Sequence, residues 1–304
     1  MGPTGSGKSS FISKATGFQG GVGHDLKSCT NKVTTIRFSL PELVNNDIVF
    51  VDTPGFDDTN LPDTKILEMI SDWLNQSYGR GIRLNGLLYF HRISDNRMAG
   101  TPLKNLRLFE KICGEGFDNV IMTTTMWDEV EDEEGDQREK ELADIYWKTL
   151  IKRGSQVRRF YHTQESAFQV IASILKDAND ADNKRIQQEL ENLGNVLLLQ
   201  KEVMVGGKEL SDTEAGRTLF LQLQVLVEKH QKILERIREN LREPNLTPEE
   251  LQDLMKDYQK VADDLKKATE EMQTIAAKKG VSIGRLQKLA STPRNFYHFL
   301  QRFK

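Results

Sequence analysis

Gly2-Pro3-Thr4-Gly5-Ser6-Gly7-Lys8-Ser9, at the head of the chain, is the stretch whose reading decides the fold. A glycine, four residues, a second glycine, then lysine and serine form the P-loop pattern that cradles a phosphate chain. The residue types follow from that chemistry. Glycines let backbone N–H groups turn inward around an anion where a Cβ would collide, and the helix that follows offers its unpaired first donors to the same anion. On this reading Gly2, Thr4, Gly5, Ser6, Gly7 and Ser10 line the cradle, Lys8 reaches the outer phosphates, and the Ser9 hydroxyl ligates Mg²⁺.

A P-loop ordinarily follows a buried strand of apolar residues at the centre of a parallel sheet, yet only Met1 precedes Gly2. The expectation is therefore a sheet that lacks its first strand, or one in which another segment fills the gap.

Outward from the loop, Ser10–Thr16 reads as a helix, Gly17–Asp25 as a glycine-rich loop and Val33–Leu40 as a strand. A threonine in the intervening segment would close over Mg²⁺ and the terminal phosphate. Thr30 is assigned that place, because Thr34 and Thr35 fall within the strand pattern. Asp47-Ile48-Val49-Phe50-Val51-Asp52 is an apolar, β-branched run that delivers a carboxylate to the strand end. Asp52 would hold Mg²⁺ through a water, and the Gly55 N–H in the following Thr53-Pro54-Gly55-Phe56 would sense the terminal phosphate. Phe56 occupies the position at which a water-orienting glutamine would act, so any hydrolysis requires another group to position water.

Asp63–Tyr78 reads as an amphipathic helix, Gly86–Phe90 as a buried strand, His91–Arg97 as a polar loop, Pro102–Cys113 as a helix and Asn119–Thr124 as the next strand. Thr125-Met126-Trp127-Asp128 follows. The Asp128 carboxylate is placed to accept hydrogen bonds from guanine N1–H and its 2-amino group, Thr125 lies beside it, and Met126 stands where a lysine is usual. Gln137–Arg153, Val157–His162 and Glu165–Leu175 complete the alternation of helix, strand and helix. The fold class expected is α/β with a parallel-type central sheet, followed by an all-α region.

The motifs together resemble the septin-like GTPases, and most closely the immunity-associated (IMAP-type) GTPases and fungal G-domain proteins, over roughly residues 1–175. The resemblance implies a P-loop G domain that binds GTP or GDP with Mg²⁺ and hydrolyses GTP slowly. It also implies a homodimer formed through the nucleotide face, in which an arginine after the fourth strand stimulates hydrolysis; Arg92 matches that place, ahead of Arg97. Lys8, Thr30 and Arg92 are the catalytic candidates. A GTP/GDP-binding scaffold without turnover and an ATP-using P-loop protein stand as alternatives, the first favoured by Phe56 and the second by Met126.

The domain division expected is 1–178 for the G domain and 179–304 for a helical extension. In that extension Ser211-Asp212-Thr213-Glu214 and Thr247-Pro248-Glu249-Glu250 are capping boxes opening two helices. Their apolar residues recur every three or four positions, as in an antiparallel hairpin, with an intermolecular coiled coil as the rival. The tail Ser282–Lys304 carries basic and aromatic residues without an acid, a composition suited to an effector or an anionic membrane surface, or to docking on the protein's own core. A net charge of -3 argues against nucleic acid as a partner. Cys29 and Cys113 match no metal spacing and are read as reduced thiols of a cytoplasmic protein, peripheral on a membrane if the tail binds one.

Overall fold

The computed structural model describes residues 1–17, 32–39, 47–58, 60–82, 84–114, 119–176, 196–241 and 247–277. Helix α1 (Lys8–Thr16) leads to β1 (Thr34–Ser39), β2 (Asp47–Asp52), α2 (Asp63–Gly79), β3 (Leu87–Arg92), α3 (Thr101–Cys113) and β4 (Val120–Thr125). Then come α4 (Asp132–Glu141), α5 (Lys148–Lys152), β5 (Gln156–Arg159) and α6 (Gln164–Lys176). Strands β3, β4 and β5 pair in parallel in that order, joined by helical crossovers as parallel strands must be. Every residue of β4 is buried, which suits its apolar and threonine-only sequence to the middle of this sheet. β1 and β2 form a separate antiparallel pair, with Thr34 opposite Asp52.

Between these two sheets Met1–Pro3 run as a short stub of extended chain. Met1 runs beside β3, its amine donating to Leu88 O at 2.7 Å and its carbonyl accepting from Phe90 N at 2.9 Å. On the other side Pro3 bridges Phe56 in parallel, with Thr4 N donating to Phe56 O and Phe56 N to Gly2 O. Behind this stub the edges of β2 and β3 flank a cleft of about 650 Å³ lined by Val49, Val51, Leu87, Leu88, Ile171 and Ile174, among others. Met1–Pro3 thus link the two sheets at the end where the P-loop sits.

The P-loop is held by its helix. Phe11 of α1 is fully buried and meets Phe90, Phe160 and Phe50 edge-on at 5.2, 5.1 and 6.3 Å. Ile12, Ala15, Ile121, Ala167, Val170 and Ile171 complete the cluster. Burial of each large side chain contributes roughly 1.5–3 kcal/mol, so α1 is anchored by hydrophobic packing from both α6 and the strands.

Three boundaries differ from the sequence reading. β3 runs through His91 and Arg92, because its ladder with β4 continues to the pair Arg92 and Thr125; the polar loop begins two residues later than expected. The expected long helix Gln137–Arg153 starts earlier, at Asp132, and is interrupted by a π-helical turn at Leu142–Tyr146. The first compact unit extends to Ala215 and does not close near residue 178. Leu197 and Leu199 are fully buried, and Gln200 Nε2 donates to Leu74 O at 2.9 Å, which ties this segment to α2.

The second unit, Gly216–Lys304, holds most of α7 (Glu214–Asn240) and all of α8 (Pro248–Ala277). One apolar cluster draws Val227, Leu234 and Ile237 from the first, Leu241 just past its end, and Tyr258, Leu265 and Ala268 from the second. Arg238 also donates to the Tyr258 hydroxyl at 2.9 Å. The expected capping box forms at Thr247, whose N–H and hydroxyl both reach Glu250. The basic tail from Ser282 and the expected first helix up to residue 195 lie outside the described residues, and no described helix is long and apolar enough to cross a membrane.

Candidate nucleotide site

The cradle is built from backbone that only glycine adopts readily. Gly5 and Gly7 have φ of 75° and 87°, and Gly7 sits immediately before α1 with no side chain capping the helix, so the first N–H groups of α1 open into the loop. Gly2 is close-packed, since a Cβ there would lie 2.5 Å from Phe90 O. Ser6 is fully buried and donates to Pro3 O at 2.8 Å. Its carbonyl accepts from the Thr125 hydroxyl at 3.1 Å, which also reaches His91 O. Thr125 therefore fastens the end of β4 to the back of the P-loop.

Lys8 is buried, with Nζ donating to Pro3 O at 2.7 Å and Gly2 O at 3.2 Å, so two of the three donors of an ammonium brace the loop. Burial lowers its pKa to about 8, against the opposing pull of Asp52 and Asp58. Ser9, at the next position, donates to Asp52 Oδ2 at 2.7 Å. A hydroxyl and a carboxylate meeting beside a phosphate cradle are the oxygen donors a hard divalent cation takes, with phosphate oxygens and water completing its shell. These two residues fit Mg²⁺. Among the described residues no group of three His, Cys, Asp or Glu could hold a metal by itself. Thr30, the third expected ligand, lies outside the described residues, as does Cys29.

Gly55 touches the P-loop directly, for a Cβ there would stand 2.5 Å from Thr4 N and 2.6 Å from Thr4 Cα. Both are backbone atoms that cannot swing aside. Gly55→Ala is expected to cost about 1–3 kcal/mol through the forced separation. A thermal melt checks this, with a fall of roughly 2–4 °C for each kcal/mol.

Arg92 ends β3 beside the loop. Its Nη1 lies 3.6 Å from where a Gly5 Cβ would be, and its Nη2 pairs with Asp95 at 3.0 Å, with the side chain 38% exposed. The next-door His91 is buried against Trp147, ring centroids 5.9 Å apart, and desolvation lowers its pKa to about 4, so it is a neutral core residue.

Asp128 is exposed on the short 3₁₀ turn Trp127–Glu129 that follows β4, and Met126 before it has φ of 60°, a left-handed conformation that aims the turn. Beneath the turn lies a network that sequence reading missed. Arg159 stacks on Trp127 at 4.1 Å and donates to Glu139, while Glu139 accepts from Thr124 at 2.9 Å and Trp127 Nε1 donates to Thr124 Oγ1 at 3.1 Å. Tyr161 packs on Trp127 as well. The members come from β4, α4 and β5, so no local spacing announced them.

Residues 1–99, about a third of the chain, match the family described as 50S ribosome-binding GTPase. No curated protein sequence matches. Among solved structures, a bacterial selenocysteine-specific elongation factor, EF-Sec, is similar over 59% of this chain at 16% identity with a TM-score of 0.40. The chain spans 28% of the length of that protein.

Proposed function

We propose that the first unit, which has the fold of a P-loop GTPase domain, binds Mg·GTP and turns it over slowly, as a nucleotide-dependent switch. One observation carries the reading: the glycine cradle with Lys8 inside it opens beside the 2.7 Å contact of Ser9 with Asp52, where β2 ends and α1 begins. In this reading Lys8 and the α1 N-terminus hold the phosphates and Asp128 selects guanine. Bound Mg²⁺ would supply charge neutralisation at the outer phosphates. The contact of Gly55 with Thr4 supports a switch, because a γ-phosphate entering between them must alter the loop that Gly55 carries.

The finer kinship with the septin-like and immunity-associated GTPases belongs to this proposal, and with it self-association through the nucleotide face. Arg92, beside Gly5, is the group that neutralises charge developing on the phosphates. Arg92→Ala should slow turnover and leave binding in place, and a dependence of turnover on protein concentration is the mark of a second copy's contribution. The scaffold reading without turnover draws on Phe56, whose ring is 1% exposed and directed into the core.

The test is titration with GTP and ATP in the presence of Mg²⁺. GTP-selective binding supports the proposal, and equal affinity for ATP sinks the guanine assignment. Asp128→Asn should lose about 1.5–3 kcal/mol of GTP affinity, the worth of hydrogen bonds to a charged acceptor, while ATP binding stays where it was. Affinity should also weaken as pH rises. Lys8 must be charged to hold phosphate, so GTP affinity should drop up to about tenfold per unit as pH rises above about 8.

A further inference from the structure

We propose that Asp58 orients the water that attacks the γ-phosphorus, taking the place that Phe56 leaves unfilled. The inference rests on the GTPase reading above. Phe56 is excluded by its own backbone: its N–H and C=O are both bound to the stub at Gly2 and Thr4, and its ring is in the core. Two residues later the chain turns back, and the Asp58 carboxylate is divided between two duties. Oδ1 accepts from Asn60 N at 2.7 Å and Leu61 N at 3.1 Å, which fixes the group in an Asx-type turn. Oδ2 faces the P-loop, where the Thr4 hydroxyl approaches it at 3.5 Å while donating to Gly55 O at 3.2 Å.

Asp58 is thus a half-buried carboxylate with one oxygen anchored and the other turned toward the mouth of the cradle. It is near enough to Lys8 to hold that residue's pKa up, and Arg92 acts on the same lysine. Asp57, the adjacent acid, is different. Its N–H donates to Asp63 and its exposed side chain sits on a residue with φ of 60°, within the field of the Lys104 and Arg92 cations.

In the step proposed, the water oxygen bonds to the γ-phosphorus as the bridging bond to the β-phosphate breaks. The electron pair leaves on GDP, and one water proton passes to Asp58 and from there to the released phosphate. A general base of this kind is worth on the order of 10²–10⁴-fold in rate.

Asp58→Asn separates this role from a purely structural one, because the amide oxygen still caps the Asn60 and Leu61 N–H groups but no longer takes a proton. Single-turnover hydrolysis, GTP affinity and thermal midpoint should be measured for the wild type, Asp58→Asn and Asp57→Asn, the last tolerating its left-handed backbone. The expected result is at least a hundredfold slower hydrolysis in Asp58→Asn, with GTP affinity equal or tighter because a negative charge has left the phosphate mouth, and a wild-type rate in Asp57→Asn. Wild-type turnover by Asp58→Asn, an equal loss in Asp57→Asn, or a wild type that binds GTP without hydrolysing it overturns the inference. A wild type that does not bind GTP overturns the GTPase reading itself, a separate outcome.

Discussion

Lys8→Met should abolish nucleotide binding while leaving the free protein at least as stable as before. The first half follows from the site: the ammonium is buried inside the cradle, and removing one partner of a buried charged pair costs about 2–5 kcal/mol, or roughly 30- to several thousandfold in affinity. The second half holds even though Lys8 donates to Gly2 O and Pro3 O. Its pKa decides the sign. A lysine lowered from 10.5 to about 8 by burial is worse off charged in the folded chain than in the unfolded one, by about 3 kcal/mol at neutral pH. Methionine keeps the apolar stem and removes that penalty, against the loss of two hydrogen bonds to carbonyls. Calorimetric titration with GTP and a melt of the free protein check the two halves together. A variant that melts well below the wild type would show the lysine to be a structural brace first.

The parts of the site legible in the sequence were those where chemistry leaves little choice of residue. Gly2, Gly5, Gly7 and Gly55 stand where a Cβ collides or φ is positive, so a pattern of glycines is also a statement about backbone. Ser9 and Asp52 were each assigned to Mg²⁺ from the motif alone, and the structure brings them to 2.7 Å where β2 ends and α1 starts. What stayed hidden depends on partners distant in sequence. His91 and Arg92 look like loop residues by polarity; the ladder to β4 and the face of Trp147 make them strand. The brace of Glu139, Arg159 and Trp127 joins three elements, and the packing of Leu197 and Leu199 beyond the expected domain boundary depends on helices more than eighty residues upstream. Nothing in the sequence sets Asp58 apart from its neighbour Asp57, because the direction of its second oxygen is set by Thr4.

Adding five or six apolar, β-branched residues ahead of Met1 should stabilise the first unit more than any substitution within it. The cleft behind the stub is flanked by β2 on one side and β3 on the other, and Met1 already fixes the register of a parallel strand beside Leu88 and Phe90. Burying each added side chain gains roughly 1.5–3 kcal/mol and ordering each residue costs about 1–2, with ladder hydrogen bonds adding to the balance. A net of about 1 kcal/mol per residue raises the thermal midpoint by roughly 10–20 °C over the whole insertion. The amine gives a second, independent readout. Burial lowers its pKa from 8.0 to about 5, so the unfolded chain binds the proton that the folded one releases. Stability should therefore be full above pH 8 and be lost as pH falls toward 5, by about 4 kcal/mol. Any extension turns the amine into an amide and removes that slope. An extension of the same length in glycine and serine should remove the slope yet give little of the thermal gain, because it ends the titration without filling the cleft. If the apolar and glycine-serine extensions raise the midpoint equally, the cleft does not accept a strand, and the gain belongs to the amine alone.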